Sequence, residues 1–141
     1  MTNQYAQFND AIVSQFRANN GHVDRFGDSL ILLHHIGAKS GAERLTPVMS
    51  IRESPDAWLI SGSKAGASDN PAWYHNLVAN PDVVIEVAGE GPLRARATVL
   101  QGDERDRLWA KFTALSPGFA QYERMTDRVI PVIRLVRRGA A

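Results

Sequence analysis

Leu30-Ile31-Leu32-Leu33-His34-His35-Ile36-Gly37-Ala38-Lys39-Ser40-Gly41-Ala42-Glu43-Arg44 is an apolar run that ends in a glycine-bearing basic turn. Leu and Ile unbroken by Pro or Gly predict a buried strand over residues 29–36, stopped at Gly37. The pattern recurs in Ala57-Trp58-Leu59-Ile60-Ser61-Gly62-Ser63-Lys64-Ala65-Gly66, read as a strand over 57–63 and a second turn. Two strand ends that each deliver a cationic glycine turn predict a clamp on one long anionic ligand. Either turn alone reads equally well as a solvated hairpin, because short Gly/Ser turns are common.

Working outward, residues 44–52 alternate as a strand, and Ser54-Pro55-Asp56 makes a turn. Residues 70–79 predict a short helix with Asn70 as N-cap and Pro71 at its first position. Strands follow over 83–87 and 93–100, separated by Gly89-Glu90-Gly91. A helix starting at Asp103 carries acids in its first turn, as the helix dipole favours. A shorter helical segment covers 119–127. Residues 130–136 predict the last strand, with Pro131 near its start where a missing N–H is tolerable, and residues 137–141 a tail. At the other end, residues 5–19 predict an amphipathic helix within an N-terminal segment 1–21, its apolar face built from Phe8, Ile12, Val13 and Phe16. Strands joined by short turns favour antiparallel closure into a small barrel, and the helices needed for a doubly wound sheet are missing. The expectation is one α+β domain over 1–141, a small antiparallel barrel with flanking helices.

Bulk composition narrows the chemistry. The chain has 141 residues, 44% hydrophobic and 22% charged, with 16 basic against 15 acidic side chains and a net charge of +1. That balance gives no general pull toward nucleic acid, so an anion site has to be local. Cysteine is absent, which removes thiolate nucleophiles, disulfides and Cys-based metal sites. No spanning segment or signal pattern is seen, so a cytoplasmic protein is expected, with at most weak membrane association. Adjacent His34 and His35 point to opposite faces of a strand, and His22 and His75 lie far off in sequence, so no metal centre is expected. The turn at Lys39 is not a phosphate loop of the Walker type. Ser63 lacks a nucleophile elbow and a triad order, so it reads as a hydrogen-bond donor to a ligand. Trp73 and Tyr74 read as core, Phe119 and Tyr122 as neighbours on one helical face, and Asp127-Arg128 as a local ion pair or capping element.

These spaced residues resemble a known family. Gly37-x-Lys39-Ser40-Gly41-x-x-Arg44-x-x-Pro47, Ser61-x-Ser63-Lys64-x-Gly66 and Asn70-Pro71-x-Trp73-Tyr74-x-Asn76-Leu77 are similar to motifs of the deazaflavin-dependent nitroreductase and quinone reductase family of actinobacteria. Pro117-Gly118-Phe119-x-x-Tyr122 and Thr126-Asp127-Arg128-x-Ile130-Pro131-Val132 match it too. The resemblance implies a split β-barrel of the FMN-binding-like kind that binds coenzyme F420. By position it assigns Lys39, Ser40, Gly41 and Arg44 to the cofactor's phosphate and oligoglutamate tail. Ser61, Gly62, Ser63 and Lys64 would border the deazaflavin ring, supported by Trp73 and Asn76, with Pro47 a further cofactor contact and Met49, Ser63, Phe119 and Tyr122 on the substrate side. Some relatives carry Tyr where this chain has Met49, Ser116 and Phe119, which leaves Ser63 and Tyr122 as the candidate catalytic hydroxyls, with solvent as the other proton source.

The implied activity is hydride transfer from reduced F420 to a small-molecule acceptor: a quinone, an activated enone or lactone, or a nitroaromatic. An FMN-binding oxidoreductase of the same fold and a non-catalytic F420 carrier are the alternatives. Split barrels of this kind often dimerise, which makes a homodimer one option that no stretch of the sequence decides.

Overall fold

The computed structural model describes residues 4–140, with side chains from residue 9 onward apart from Ala65. Helix α1 (Gln4–Ala18) precedes strands β1 (Leu30–Ile36), β2 (Glu43–Ser54) and β3 (Ala57–Ser61). Helix α2 (Ala72–Ala79) leads to β4 (Asp82–Val87) and β5 (Gly91–Val99), then α3 (Gly102–Leu115), α4 (Pro117–Arg124) and β6 (Val132–Ala140). The six strands close into an antiparallel barrel in the order β1-β2-β3-β6-β5-β4. This is the split barrel that the turns and the resemblance lead one to expect.

Alternation on the strands decides what fills the barrel. Ile31 and Leu33 of β1 point inward with Val48, Trp58, Ile60, Ile85, Ile133 and Leu135. Their neighbours on the outer face meet helices instead. Leu30 and Leu32 pack under α1 against Ile12 and Phe16, and Leu59 and Val132 pack under α3 and α4 against Trp109, Phe112 and Phe119. A closed six-stranded barrel therefore buries both faces of β1 and β3, which is why those strands read as continuous apolar runs. Phe8 lies outside the described side chains.

Three local expectations need correction. Residues 137–140 are not a tail: β6 runs to Ala140, with Ala95 opposite Arg137 and Leu93 opposite Ala140. Closing the barrel at β5 supplies partners for backbone groups that a tail would leave to water. The strand read as 57–63 ends at Ser61: Gly62 still donates to the Pro131 carbonyl, but Pro131 has no N–H to return the bond, and the ladder stops. Asn70 does not cap α2. Pro71 occupies the N-cap position, and Asn70 Oδ1 instead accepts from Arg128 Nη1 at 2.7 Å. A charged guanidinium is a stronger donor to an amide oxygen than a neutral main-chain N–H.

Candidate active site

The first turn, residues 37–42, is folded on itself. Gly37 donates to the Ala42 carbonyl, Gly41 donates to the Gly37 carbonyl, and the Ala42 amide donates to Ser40 Oγ. Gly41 carries φ +70, which glycine adopts without strain. A Cβ at Gly37 would collide with the Ser40 hydroxyl, so that hydroxyl lies over the glycine. Ala38 donates across the barrel mouth to Asn76 Oδ1 at 2.8 Å. Two amides of the turn, those of Lys39 and Ser40, have no partner among the described residues. The exposed Lys39 and Arg44 side chains form no ion pair there either. Free amides beside unpaired cations suit a phosphate or carboxylate.

The second turn is held from outside. Arg128 donates to the carbonyls of Ala67, Gly62 and Ser63 at 2.9, 3.0 and 2.9 Å, as well as to Asn70. Its planar fork thus fixes residues 62–70 as one unit. Lys64 takes φ +44 and places Nζ 3.0 Å from Asp69. The lysine hydrogen bonds hold the Asp69 carboxyl below the usual carboxylate range. The expected role of Arg128 as a local capping or ion-pair element is therefore too small, since its partners lie about sixty positions upstream. The only trace of it in the sequence is an isolated Arg between a helix end and a strand.

Between these turns lies a cavity of about 330 Å³. Its walls are Pro47, Val48 and Met49 of β2, Ser61, Ser63 and Lys64 at the end of β3, Pro71 and Trp73 at the start of α2, and Phe119 and Tyr122 of α4. Tyr122 meets Phe119 edge to face, with ring centroids 6.0 Å apart. The structure brings together Pro47, Met49, Ser61, Ser63, Lys64, Trp73, Phe119 and Tyr122 from the sequence-predicted set. Val48 and Pro71 were not singled out in the sequence. Gly62 is buried behind the wall, where a Cβ would lie 2.7 Å from Pro131. Lys39, Ser40 and Gly41 stay together on the first turn, with Arg44 just after it on β2, all outside the cavity. Ser116 does not line it; its Oγ accepts from the Gly118 amide and starts α4.

Asn76 joins the two halves. It lies one helical turn after Trp73, so both project from the same face of α2. Asn76 is 6% exposed and touches the first turn, whereas Trp73 faces the cavity. Because Asn76 Oδ1 must accept from Ala38, its Nδ2 must donate to His35 Nδ1, 2.9 Å away. His35 is then neutral, with its proton on Nε2, 2.9 Å from Thr46 Oγ1. Burial, chiefly, and the charges of Arg44 and His34 push the His35 pKa down to about 4. His34, on the opposite face as expected, bridges Glu43 and Glu86 at 2.9 and 2.6 Å.

A larger groove of about 570 Å³ lies on the outer barrel wall by His34, Glu43, Asp82, Arg94 and Arg138. Its carboxylates are already paired, Glu43 with His34 and Asp82 with Arg96. The smaller cavity is the better active site, because a serine-bearing loop and aromatic edges meet there and α2 links it to the anion-ready turn. A largely apolar cavity bordered by Ser61 and Ser63 is suited to an aromatic ring, and the free amides of Lys39 and Ser40 to a phosphate.

The chain and its fold find counterparts among known proteins. Residues 8–137 match the family described as F420H(2)-dependent quinone reductase. A Mycobacterium tuberculosis protein named F420H(2)-dependent quinone reductase is 37% identical over 140 residues, covering 96% of this chain and 91% of its own length. The solved structure of an F420-H2 dependent reductase (FDR-A) superposes with a TM-score of 0.67 at 34% identity, covering 76% of this chain and 93% of that one. Another, described as a domain-swapped dimer, reaches 0.69 at 32% identity and covers 89% and 97%. A family match over residues 8–137, together with 37% identity to a relative covered over 91% of its length, means that the chain belongs to the F420H(2)-dependent quinone reductase family.

Proposed function

We propose that the chain reduces a quinone with a hydride from F420H2, with the cofactor's anionic end held at the first turn and its ring and the acceptor sharing the cavity. Reduced F420 is the hydride donor of the family. The observation that carries the reading is the placement of Trp73 and Asn76 on one face of α2, which ties a cavity fit for a ring to a turn fit for a phosphate.

The protein's own contribution is binding, orientation and exclusion of water. Lys39, Arg44 and the amides of Lys39 and Ser40 hold the anionic end. Pro47, Val48, Ser61, Ser63 and Trp73 border the ring, and Met49, Phe119 and Tyr122 bound the acceptor. Holding two reactants in contact geometry contributes on the order of 7–11 kcal/mol. Hydride addition leaves the acceptor short of one proton, and Tyr122 and Ser63, which both line the cavity, are the side chains proposed to donate it. The M. tuberculosis relative's name favours quinones over enones, lactones and nitroaromatics. Met49 and Phe119 favour an apolar acceptor. A homodimer is part of the reading, in keeping with the structure described as domain-swapped. Among the described residues no helix is long and apolar enough to cross a membrane.

The test is oxidation of F420H2, followed by absorbance, across a panel of quinones, enones and nitro compounds. The highest kcat/KM is expected with a quinone. Cofactor binding with no turnover on any acceptor would leave a carrier, and tight binding of FMN in place of F420 would overturn the cofactor assignment.

A further inference from the structure

Among the described residues, His35 is the one buried titratable side chain at the mouth of the barrel that the proposed chemistry leaves unused. It is 2% exposed and does not line the cavity. Its hydrogen bonds nevertheless form a directed chain. The Ala38 amide can only donate, so Asn76 must present Oδ1 to it and Nδ2 to His35. His35 must then present a bare Nδ1 to Asn76 and an N–H at Nε2 to Thr46. Reversing any link leaves two donors facing each other inside the protein, at the cost of an unsatisfied buried group.

We infer that His35 is a positioning residue for anion binding at the first turn: as the acceptor for Asn76 it fixes which amides of that turn are left open to the ligand. Asn76 ties up the Ala38 amide, so the turn presents the amides of Lys39 and Ser40. If Asn76 lost its acceptor at His35, its amide would be free to turn over, Ala38 would lose its partner, and the turn would no longer present a fixed pair. The ligand class is a phosphate ester. The inference rests on the reading that the first turn takes the cofactor's phosphate.

Two substitutions separate this role from simple packing. His35→Asn keeps an oxygen acceptor where Nδ1 stands and loses the donor to Thr46. His35→Gln reaches the position of Nε2 and loses the acceptor for Asn76. Both remove the imidazole, so a merely structural role treats them alike. We expect His35→Gln to weaken F420 binding about tenfold and His35→Asn to stay within about twofold of the parent, as read by cofactor fluorescence. Neither should alter binding of the deazaflavin riboside, which lacks the phosphate. Equal losses in both variants, or a parallel loss for the riboside, would overturn the role.

Wild-type protein supplies a second measurement that needs no variant to fold. Nitrogen-15 NMR should show His35 with an unprotonated Nδ1 and a proton on Nε2. Titration with F420, and separately with inorganic phosphate, should move the Lys39 and Ser40 amides and leave Ala38 nearly still. An Ala38 amide that moves as far as its neighbours, or the opposite tautomer, would sink the inference. Lys39→Ala with Arg44→Ala tests the underlying reading separately. If that pair leaves F420 affinity intact, the phosphate assignment fails; if it lowers affinity while His35→Gln does not, only the role of His35 fails.

Discussion

Arg128 Nη2 lies 2.9 Å from the Ser63 carbonyl, although the two residues are 65 positions apart. This contact and its three companions turn the loop after β3 into a fixed wall of the cavity. Arg128→Gln would leave three main-chain carbonyls short of a charged donor. A loss of about 2–4 kcal/mol in stability follows, since hydrogen bonds to charged groups are worth about 1.5–3 kcal/mol each and do not add fully. Chemical denaturation would read it. Arg128→Lys should recover little, because a lysine ammonium cannot present the planar fork.

Gly62 is fixed by space. Its Cβ would lie 2.7 Å from Pro131 Cγ and 3.3 Å from Pro71 Cδ, two rings that cannot swing aside. Gly62→Ala should lower stability by about 1–3 kcal/mol, the usual cost of overpacking. It should also raise KM for the acceptor, because Pro71 lines the cavity. A thermal melt indistinguishable from the parent would contradict this.

The depressed pKa of His35 makes stability depend on acid. The folded value is about 4, against 6.5 for an ordinary histidine, with burial as the first cause. The unfolded chain therefore binds the extra proton first, so stability is full above pH 6.5 and falls as pH drops toward 4. The loss from this one group approaches about 3 kcal/mol at the acid end, because each pH unit between the two values is worth about 1.36 kcal/mol. His35→Asn removes the titration, and the slope of unfolding free energy between pH 4 and 6.5 should flatten by that amount.

Tyr122→Phe keeps the aromatic contact with Phe119 and removes the hydroxyl. If Tyr122 supplies the proton, kcat should fall about 10²–10⁴-fold with cofactor affinity unchanged, the usual contribution of a positioned acid. Unchanged kinetics would transfer that role to Ser63, and Ser63→Ala would then carry the loss.

Lys39→Ala and Arg44→Ala should each weaken F420 binding about tenfold and reduce its dependence on salt. Folding stability should change by less than about 0.5 kcal/mol, because both side chains are exposed and unpaired among the described residues. Isothermal titration at two ionic strengths distinguishes the two effects.

Much of this architecture is written locally in the chain. Apolar runs at Leu30–Ile36 and Ala57–Ser61 mark strands buried on both faces, and the glycine turns after them mark where the ladder stops. Periodicity and turn chemistry act over a few residues, so the sequence by itself determined the strands, the order of elements and the two basic turns. Closure, by contrast, is a long-range event. That β6 runs on to Ala140 follows from its pairing with β5, not from the residues of 137–140. Partnership between distant polar groups is equally invisible along the chain. Asn70 carries every local mark of an N-cap, yet Arg128 takes its oxygen. Nothing along the chain pairs His35 of a strand with Asn76 of a helix until the barrel sets them 2.9 Å apart. Only the tertiary structure decided which amides of the first turn stay open, because a hydrogen bond depends on position and direction in space, and its partners here lie dozens of residues away.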